Sequence, residues 1–309
     1  AHIHAISLRF TGDYRAARDL DEDTYRRRVE VLGYDNVDTF STLNGLILDR
    51  REAGDYVWAH TELEKVTERA QTLFGEDSAA TLRRFSYLCV ARRKAGDHQR
   101  AKELSGWVLE RFRLRYGDDH PNAMACALGH SIDLRHSKDL PAARSLGEQT
   151  FDRYRRTMGE HHPHTLCATV DLAVTLRLLG DVAGARQLDE RSLEQFRAAL
   201  GPDHPHAIVC AINLASDLAA LSESETALAL GTEVLGRADR VLGVDHPTTL
   251  AAALNLALDL RALGRQQEAE TKYAKVLTRY RHVLGEAHQG TMLAARGVRA
   301  DCDIDTLPL

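Results

Sequence analysis

Histidine stands at one fixed phase along this chain: His120, His162, His204, His246 and His288, each 42 residues after the last. Asp119, Asp203 and Asp245 precede three of them. Recurring imidazole and carboxylate groups are the raw material of a metal centre or of a base–nucleophile relay. Neither closes here. Side chains a full repeat apart cannot share an ion whose bonds are near 2 Å, and no nucleophile recurs beside the Asp-His pairs. The densest group, His161-His162-Pro163-His164, is equally local. In four stretches the histidine sits just before proline (Pro121, Pro163, Pro205, Pro247). Proline suits the first turn of a helix, so the residue before it is an N-cap. These histidines are therefore expected to cap helices. No GxxxxGK[ST] or GxGxxG segment offers a phosphate cradle. The expectation is a chain that is not an enzyme, with no catalytic residue, no metal and no cofactor.

The elements that carry these residues follow from a second recurrence. Glycine occupies Gly33, Gly75, Gly117, Gly159, Gly201, Gly243 and Gly285, again every 42 residues. A period of this size marks one supersecondary unit stacked into a solenoid. With that glycine as offset zero, a first helix opens near offset four. It carries an apolar residue at offset seven (Phe40, Leu82, Met124, Leu166, Ile208, Leu250, Met292). It stops at Gly54, Gly96, Gly180 and Gly264, fitting a left-handed C-cap. Lys138 and Ser222 replace that glycine in two copies, so those two turns are expected to differ. A second helix follows, marked by alanine at offset 26 (Ala59, Ala101, Ala143, Ala185, Ala227, Ala269), which is expected to be buried at helix crossings. Helices joined by tight turns give an αα-hairpin.

A small residue, a turn glycine and an alanine five residues later resemble the tetratricopeptide repeat. The period and text such as Leu242–Glu270 (LGVDHPTTLAAALNLALDLRALGRQQEAE) resemble its kinesin light chain-like class. The resemblance spans about residues 5–302. It is specific in the third to sixth copies and degenerate in the first two. It implies an all-α, right-handed α-solenoid of helix-turn-helix repeats over residues 1–302. A partial repeat at 1–32 is followed by copies at 33–74, 75–116, 117–158, 159–200, 201–242 and 243–284. A terminal helix at 285–302, running from Thr291 to Cys302, is to present Arg296, Arg299 and Asp301 as a polar face. An irregular tail, 303–309, ends the chain. That ending resembles actinobacterial proteins with an upstream NB-ARC/STAND-type ATPase module, among them the FxSxx-COOH system tetratricopeptide repeat proteins. The opening reads as the back half of a first helix, and the chain has no initiator Met. It is therefore expected to be the C-terminal part of a longer protein.

By the same resemblance the first helices line a concave groove. Offsets five, nine, twelve, sixteen and nineteen fall on one stripe at helical spacing, and that stripe is polar and small where a core stripe would be rich in leucine. Its candidate peptide-binding residues are Arg84, Tyr87, Lys94, Asp133, Asp171, Asn213, Asp217, Asn255 and Asp259. Asn213 and Asn255 stand where the light-chain class uses asparagines to hold the backbone of an extended peptide. A primary amide suits this because it both donates and accepts. The Arg84–Tyr87–Lys94 end should attract acidic residues, and the Asp171–Asp217–Asp259 end basic ones. The bland counterpart is a solvated groove in which these aspartates pair with arginines at offset eighteen (Arg51, Arg93, Arg135, Arg177, Arg261).

Composition narrows the partners. The net charge is −5, from 40 basic and 45 acidic side chains that are interspersed, so no broad basic face invites nucleic acid. No apolar run approaches the roughly 18 residues a membrane helix needs. The cysteines Cys89, Cys126, Cys167, Cys210 and Cys302 form no CxxC pair and read as buried thiols of a cytoplasmic protein. The expected function is a non-enzymatic scaffold or sensor domain that captures a protein or peptide segment in the groove and regulates an upstream effector. The alternative is a structural array that self-associates as a homo-oligomer through its N-terminal end.

Overall fold

The computed structural model describes residues 1–34 and 36–306, and expectations for Asp35 and residues 307–309 lie outside them. Fifteen helices and no strand are found among the described residues. The chain divides into two compact units, Ala1–Arg115 and Tyr116–Leu309.

Unit 1 carries α1 (His2–Phe10), α2 (Tyr14–Leu32), α3 (Val37–Glu52), α4 (Tyr56–Phe74), α5 (Ala79–Lys94) and α6 (His98–Tyr116). Unit 2 carries α7 (Pro121–His136), α8 (Leu140–Met158), α9 (Pro163–Leu178), α10 (Val182–Leu200), α11 (Pro205–Ala220), α12 (Ser224–Val241), α13 (Pro247–Ala262), α14 (Gln266–Leu284) and α15 (Gln289–Ala295). Odd-numbered helices α3 to α13 all start four residues after the repeat glycine, or after its equivalent, and run 16 residues. Within unit 2 each helix packs on the next, and α9 also touches α7 and α11. None of these helices is long and apolar enough to cross a membrane.

The repeat residues act as their types dictate. The Nδ1 atoms of His120, His162, His204, His246 and His288 accept the backbone N–H two residues on, at 3.0–3.2 Å. Each histidine thus satisfies one of the donors that a helix start leaves open. Ala101, Ala143, Ala185, Ala227 and Ala269 are buried. All five cysteines are buried.

Two expectations fail. The turns at Lys138 and Ser222 do not differ from the glycine turns. Both residues take the left-handed conformation, with φ of 67° and 65°. The hydrogen bonds are the same as well: Lys138 N–H donates to Arg135 O and Asp139 N–H to Leu134 O, matching Gly180 to Arg177 and Asp181 to Leu176. The repeat geometry imposes the turn, and the side chain bears the strain.

The last helix is also shorter than expected. α15 ends at Ala295, and Gly297, with φ 68°, turns the backbone out of the helix. Residues 298–306 carry no regular secondary structure. Arg299 and Asp301 are therefore not on a helix face. Helix continuation loses because the segment finds better partners elsewhere in unit 2, as the next section describes.

Candidate functional site: the first-helix face of unit 2

Helices α9, α11 and α13 place Asp171, Asn213 and Asn255 at one phase of successive repeats. Residues 299–304 run extended across these side chains. Asn255 Nδ2 donates to Ala300 O at 2.9 Å, and Ala300 N–H donates to Asn255 Oδ1 at 2.8 Å. Asn213 Nδ2 donates to Cys302 O at 2.8 Å, and Cys302 N–H donates to Asn213 Oδ1 at 3.1 Å. Ile304 N–H donates to Asp171 Oδ1 at 3.3 Å. Every second residue of the segment is held by the next repeat back, so the segment runs against the repeat order. Aspartate has no amide N–H to offer the Ile304 carbonyl, and Asp171 closes one bond where each asparagine closes two.

Side chains alternate about this backbone grip. Cys302 and Ile304 turn into the core of unit 2, beside residues such as Val170, Ile208 and Ala252. The charged residues between them form ion pairs. Arg299 binds Asp259, and Asp303 binds Arg135. Asp301 meets Arg177 at 2.7 Å, and His136 Nε2 lies 2.8 Å from Asp303. Arg177 also holds Asp217 at 2.6 Å.

Burial sets the electrostatics. It pushes the Asp171, Asp217 and Asp259 carboxyls above their usual range, and Arg135, Arg177 and Arg299 respectively pull each one back. Burial works against Arg177's charge too, but the Asp301 and Asp217 carboxylates outweigh it, leaving its pKa above the usual guanidinium range. Desolvated charges of this kind are tolerated only when matched.

The structure thus gathers Asp171, Asn213, Asp217, Asn255 and Asp259 into one site, and Asp133 is buried on α7 of the same unit. Of the three acidic residues expected to take a basic side chain, only Asp259 does so within the segment. Asp217 is engaged by Arg177 of the preceding repeat, and Asp171 accepts a backbone N–H. Arg84, Tyr87 and Lys94 belong to α5 of unit 1, where Arg84 and Lys94 meet rings of α3 and α4. Arg84 donates to Ala80 O at 2.8 Å and stacks on Phe40 at 4.8 Å. Tyr87 is half-buried. Lys94 sits 5.7 Å over the Tyr56 ring. Unit 1 fills the phase of the asparagines differently. Gly45 stands there, and a methyl at that position would meet Asp21 Oδ2 at 2.5 Å and His2 Cε1 at 2.6 Å.

The sequence offered Arg135 and Arg177 only as pairing partners of the stripe aspartates, as Arg177 is of Asp217, and Arg299 and Asp301 only as a helix face; Arg299–Ile304 as an extended segment was not foreseen. A signal for the segment was present. From Arg299 to Asp305 charged and uncharged residues alternate strictly (RADCDID), which is the period of an extended chain with one buried face.

The tetratricopeptide repeat profile matches residues 164–238 and 213–282, and a second profile of that description matches residues 5–38 and 131–164. A search of curated protein sequences finds no match. Among solved structures, nearly identical repeats of the kinesin light chain type from Podosopora anserina are 24% identical and cover 65% of this chain and 95% of that chain, with a TM-score of 0.51. A Rap protein complexed with Competence and Sporulation Factor is 11% identical, covering 91% of this chain and 76% of that one, with a TM-score of 0.68. PlcR of Bacillus thuringiensis, complexed with the peptide PapR7 and DNA, is 13% identical, covering 86% of this chain and 88% of its own, with a TM-score of 0.58. At these identities the likeness is one of fold.

Proposed function

We propose, for a chain that belongs to the tetratricopeptide repeat family, that unit 2 is a non-enzymatic module that binds extended polypeptide segments. One observation carries this reading: Asn213 and Asn255 each close a two-bond ring on the backbone of one residue, and the two residues they hold are two apart. Such a grip recognises main chain, so it accepts any extended segment whose side chains fit between the repeats. The neighbours solved with Competence and Sporulation Factor and with the peptide PapR7 support it by analogy of fold. In this reading the module acts in the cytoplasm as a scaffold or sensor. An effector module joined to it is what segment capture would regulate.

The test uses the full chain with its own segment weakened. Ala300→Pro plus Cys302→Pro removes both N–H groups that donate to the asparagines. This chain is expected to bind an added synthetic copy of residues 299–306 saturably in fluorescence polarisation. Adding Asn213→Ala and Asn255→Ala to it should abolish binding. Equal binding with and without the asparagines would sink the reading.

Self-association is the second reading, favoured by the turn at Gly297, which joins α15 to the segment and would let the segment of one copy enter the face of another. Sedimentation of the intact chain separates the two readings: a dimer whose population rises with concentration and vanishes in the Ala300→Pro, Cys302→Pro chain would support exchange.

A further inference from the structure

Within each unit, first helices of successive repeats are joined by ion pairs between an arginine and an aspartate 40 positions apart. In unit 1, Arg9 Nε donates to Asp49 at 2.5 Å. In unit 2, Arg177 donates to Asp217 at 2.6 Å. Each rung joins offset eighteen of one repeat to offset sixteen of the next.

Unit 2 lacks half of two rungs. Opposite Arg135 the aspartate position holds Thr175, whose hydroxyl accepts from Arg135 Nη1 at 3.2 Å. The Asp171 carboxylate lies further off, at 3.6 Å from Arg135. Opposite Asp259 the arginine position holds Ala219. With the segment seated, Arg135 is 3% exposed and Asp259 is 1% exposed, so a seated segment that failed to match either charge would leave it where water cannot serve it.

Both half-rungs are completed from the segment, and with the correct signs. Asp303 gives Arg135 a closer anion than Asp171, which stands 3.6 Å off, and Arg299 supplies the missing cation to Asp259. A broken rung does not require this. In unit 1 the break at Ala91 is closed on the same helix, where Arg51 pairs with Glu52 at 2.6 Å. The two breaks in unit 2 form a reading frame of a cation and, four residues later, an anion. The backbone grips at Asn255 and Asn213 lie between them. The side chains between are held to size: Cys302 is buried, and Ile304, just past the anion, is buried in the core. The frame also sets polarity. A segment threaded the other way would put its anion on Asp259 and its cation on Arg135. Specificity by unmatched buried charge rejects wrong partners more strongly than it rewards right ones.

We propose that unit 2 selects an extended segment of a partner polypeptide with the pattern Arg/Lys–x–x–x–Asp/Glu, its cation on Asp259 and its anion on Arg135, and that Arg299–Asp303 holds this site until such a segment displaces it. The proposal rests on the segment-binding reading above and adds to it the charge pattern of the partner.

The experiment uses Cys302 as its reporter, since its thiol is covered only while the segment is seated. Alkylation of Cys302 by iodoacetamide is followed by mass spectrometry on the full chain, with fully buried Cys167 as the internal control. Three chains are compared: wild type, Thr175→Asp plus Ala219→Arg, and Asn213→Ala plus Asn255→Ala. Restoring both rungs from within the repeats should eject the segment and speed Cys302 alkylation about tenfold or more, as expected for local release without unfolding. Removing both asparagines should do the same. If the rung-restored chain protects Cys302 as wild type does while the asparagine variant exposes it, the charge pattern is wrong and the backbone grip stands. If neither variant exposes Cys302, both readings fail.

A second arm needs no substitution. An added RADADID peptide at about millimolar concentration, the scale at which a tethered segment competes, should accelerate Cys302 alkylation in wild type. The charge-inverted DARARIR peptide should not. Equal acceleration by the two peptides, or none by either, overturns the proposal.

Discussion

Asn213 and Cys302 stand 89 positions apart and exchange hydrogen bonds as two strand residues would, with 2.8 Å between Nδ2 and the carbonyl oxygen and 3.1 Å between N–H and Oδ1. Asn213 is fully buried, so both bonds are made away from water. Helix α11 thereby acts as one edge of a pairing whose other edge is an isolated extended segment.

Replacing Asn213 with aspartate keeps the shape and removes the donor. Two oxygens would then face the Cys302 carbonyl in a dry site. The expected cost is about 1.5–3 kcal/mol. Chemical denaturation of the variant measures it, and a cost below about 0.5 kcal/mol would mean that the amide–carbonyl bond contributes little.

Ser222→Gly should stabilise the chain. The turn after α11 holds Ser222 at φ 65°, where a side chain costs roughly 1 kcal/mol and glycine costs nothing in strain. The gain is offset in part by the freedom glycine adds to the unfolded chain. Lys138→Gly should behave alike. A fall in melting temperature in both variants would show that these side chains contribute contacts that outweigh the backbone strain.

Gly45→Ala should destabilise unit 1 by about 1–3 kcal/mol. The added methyl would meet Asp21 Oδ2 at 2.5 Å and His2 Cε1 at 2.6 Å, and Asp21 is fully buried. The His2→Ala, Gly45→Ala double variant should recover part of the loss. Additive losses would place the strain elsewhere.

Asp189 on α10 makes the stability of unit 2 depend on pH. Its carboxyl oxygens meet no hydrogen-bond donor among the described residues. Burial, and then the charge of Asp217, raise its pKa well above the ordinary 3.8. A pKa raised by folding means that the folded state holds the proton more tightly than the unfolded chain. The stabilisation is fully present below the ordinary value and is lost as pH rises through the folded one. Asp189→Asn, which mimics the protonated acid, should therefore leave the melting temperature unchanged at pH 4 and raise it at pH 8. An equal or lower melting temperature at pH 8 would refute this.

The solenoid was legible because its evidence is local and repeated. Each glycine, histidine cap and offset-26 alanine acts within its own repeat, so the 42-residue period locates every helix pair. The asparagines were legible for the same reason: their phase on α11 and α13 places them on one stripe. Lys138 and Ser222 misled because a turn geometry imposed by packing on both sides overrode the local preference of the residue. The end of α15 misled because the competition there is between local helix formation and distant partners. Arg299 pairs with Asp259, Cys302 with Asn213 and Asp303 with Arg135, across 40 to 168 positions. Repeat phase by itself sets which side chains share one stripe of the first helices of unit 2. What fills that stripe was decided by tertiary structure, because Arg135 and Asp259 come to face one extended segment, and are matched by it, only once the repeats have stacked.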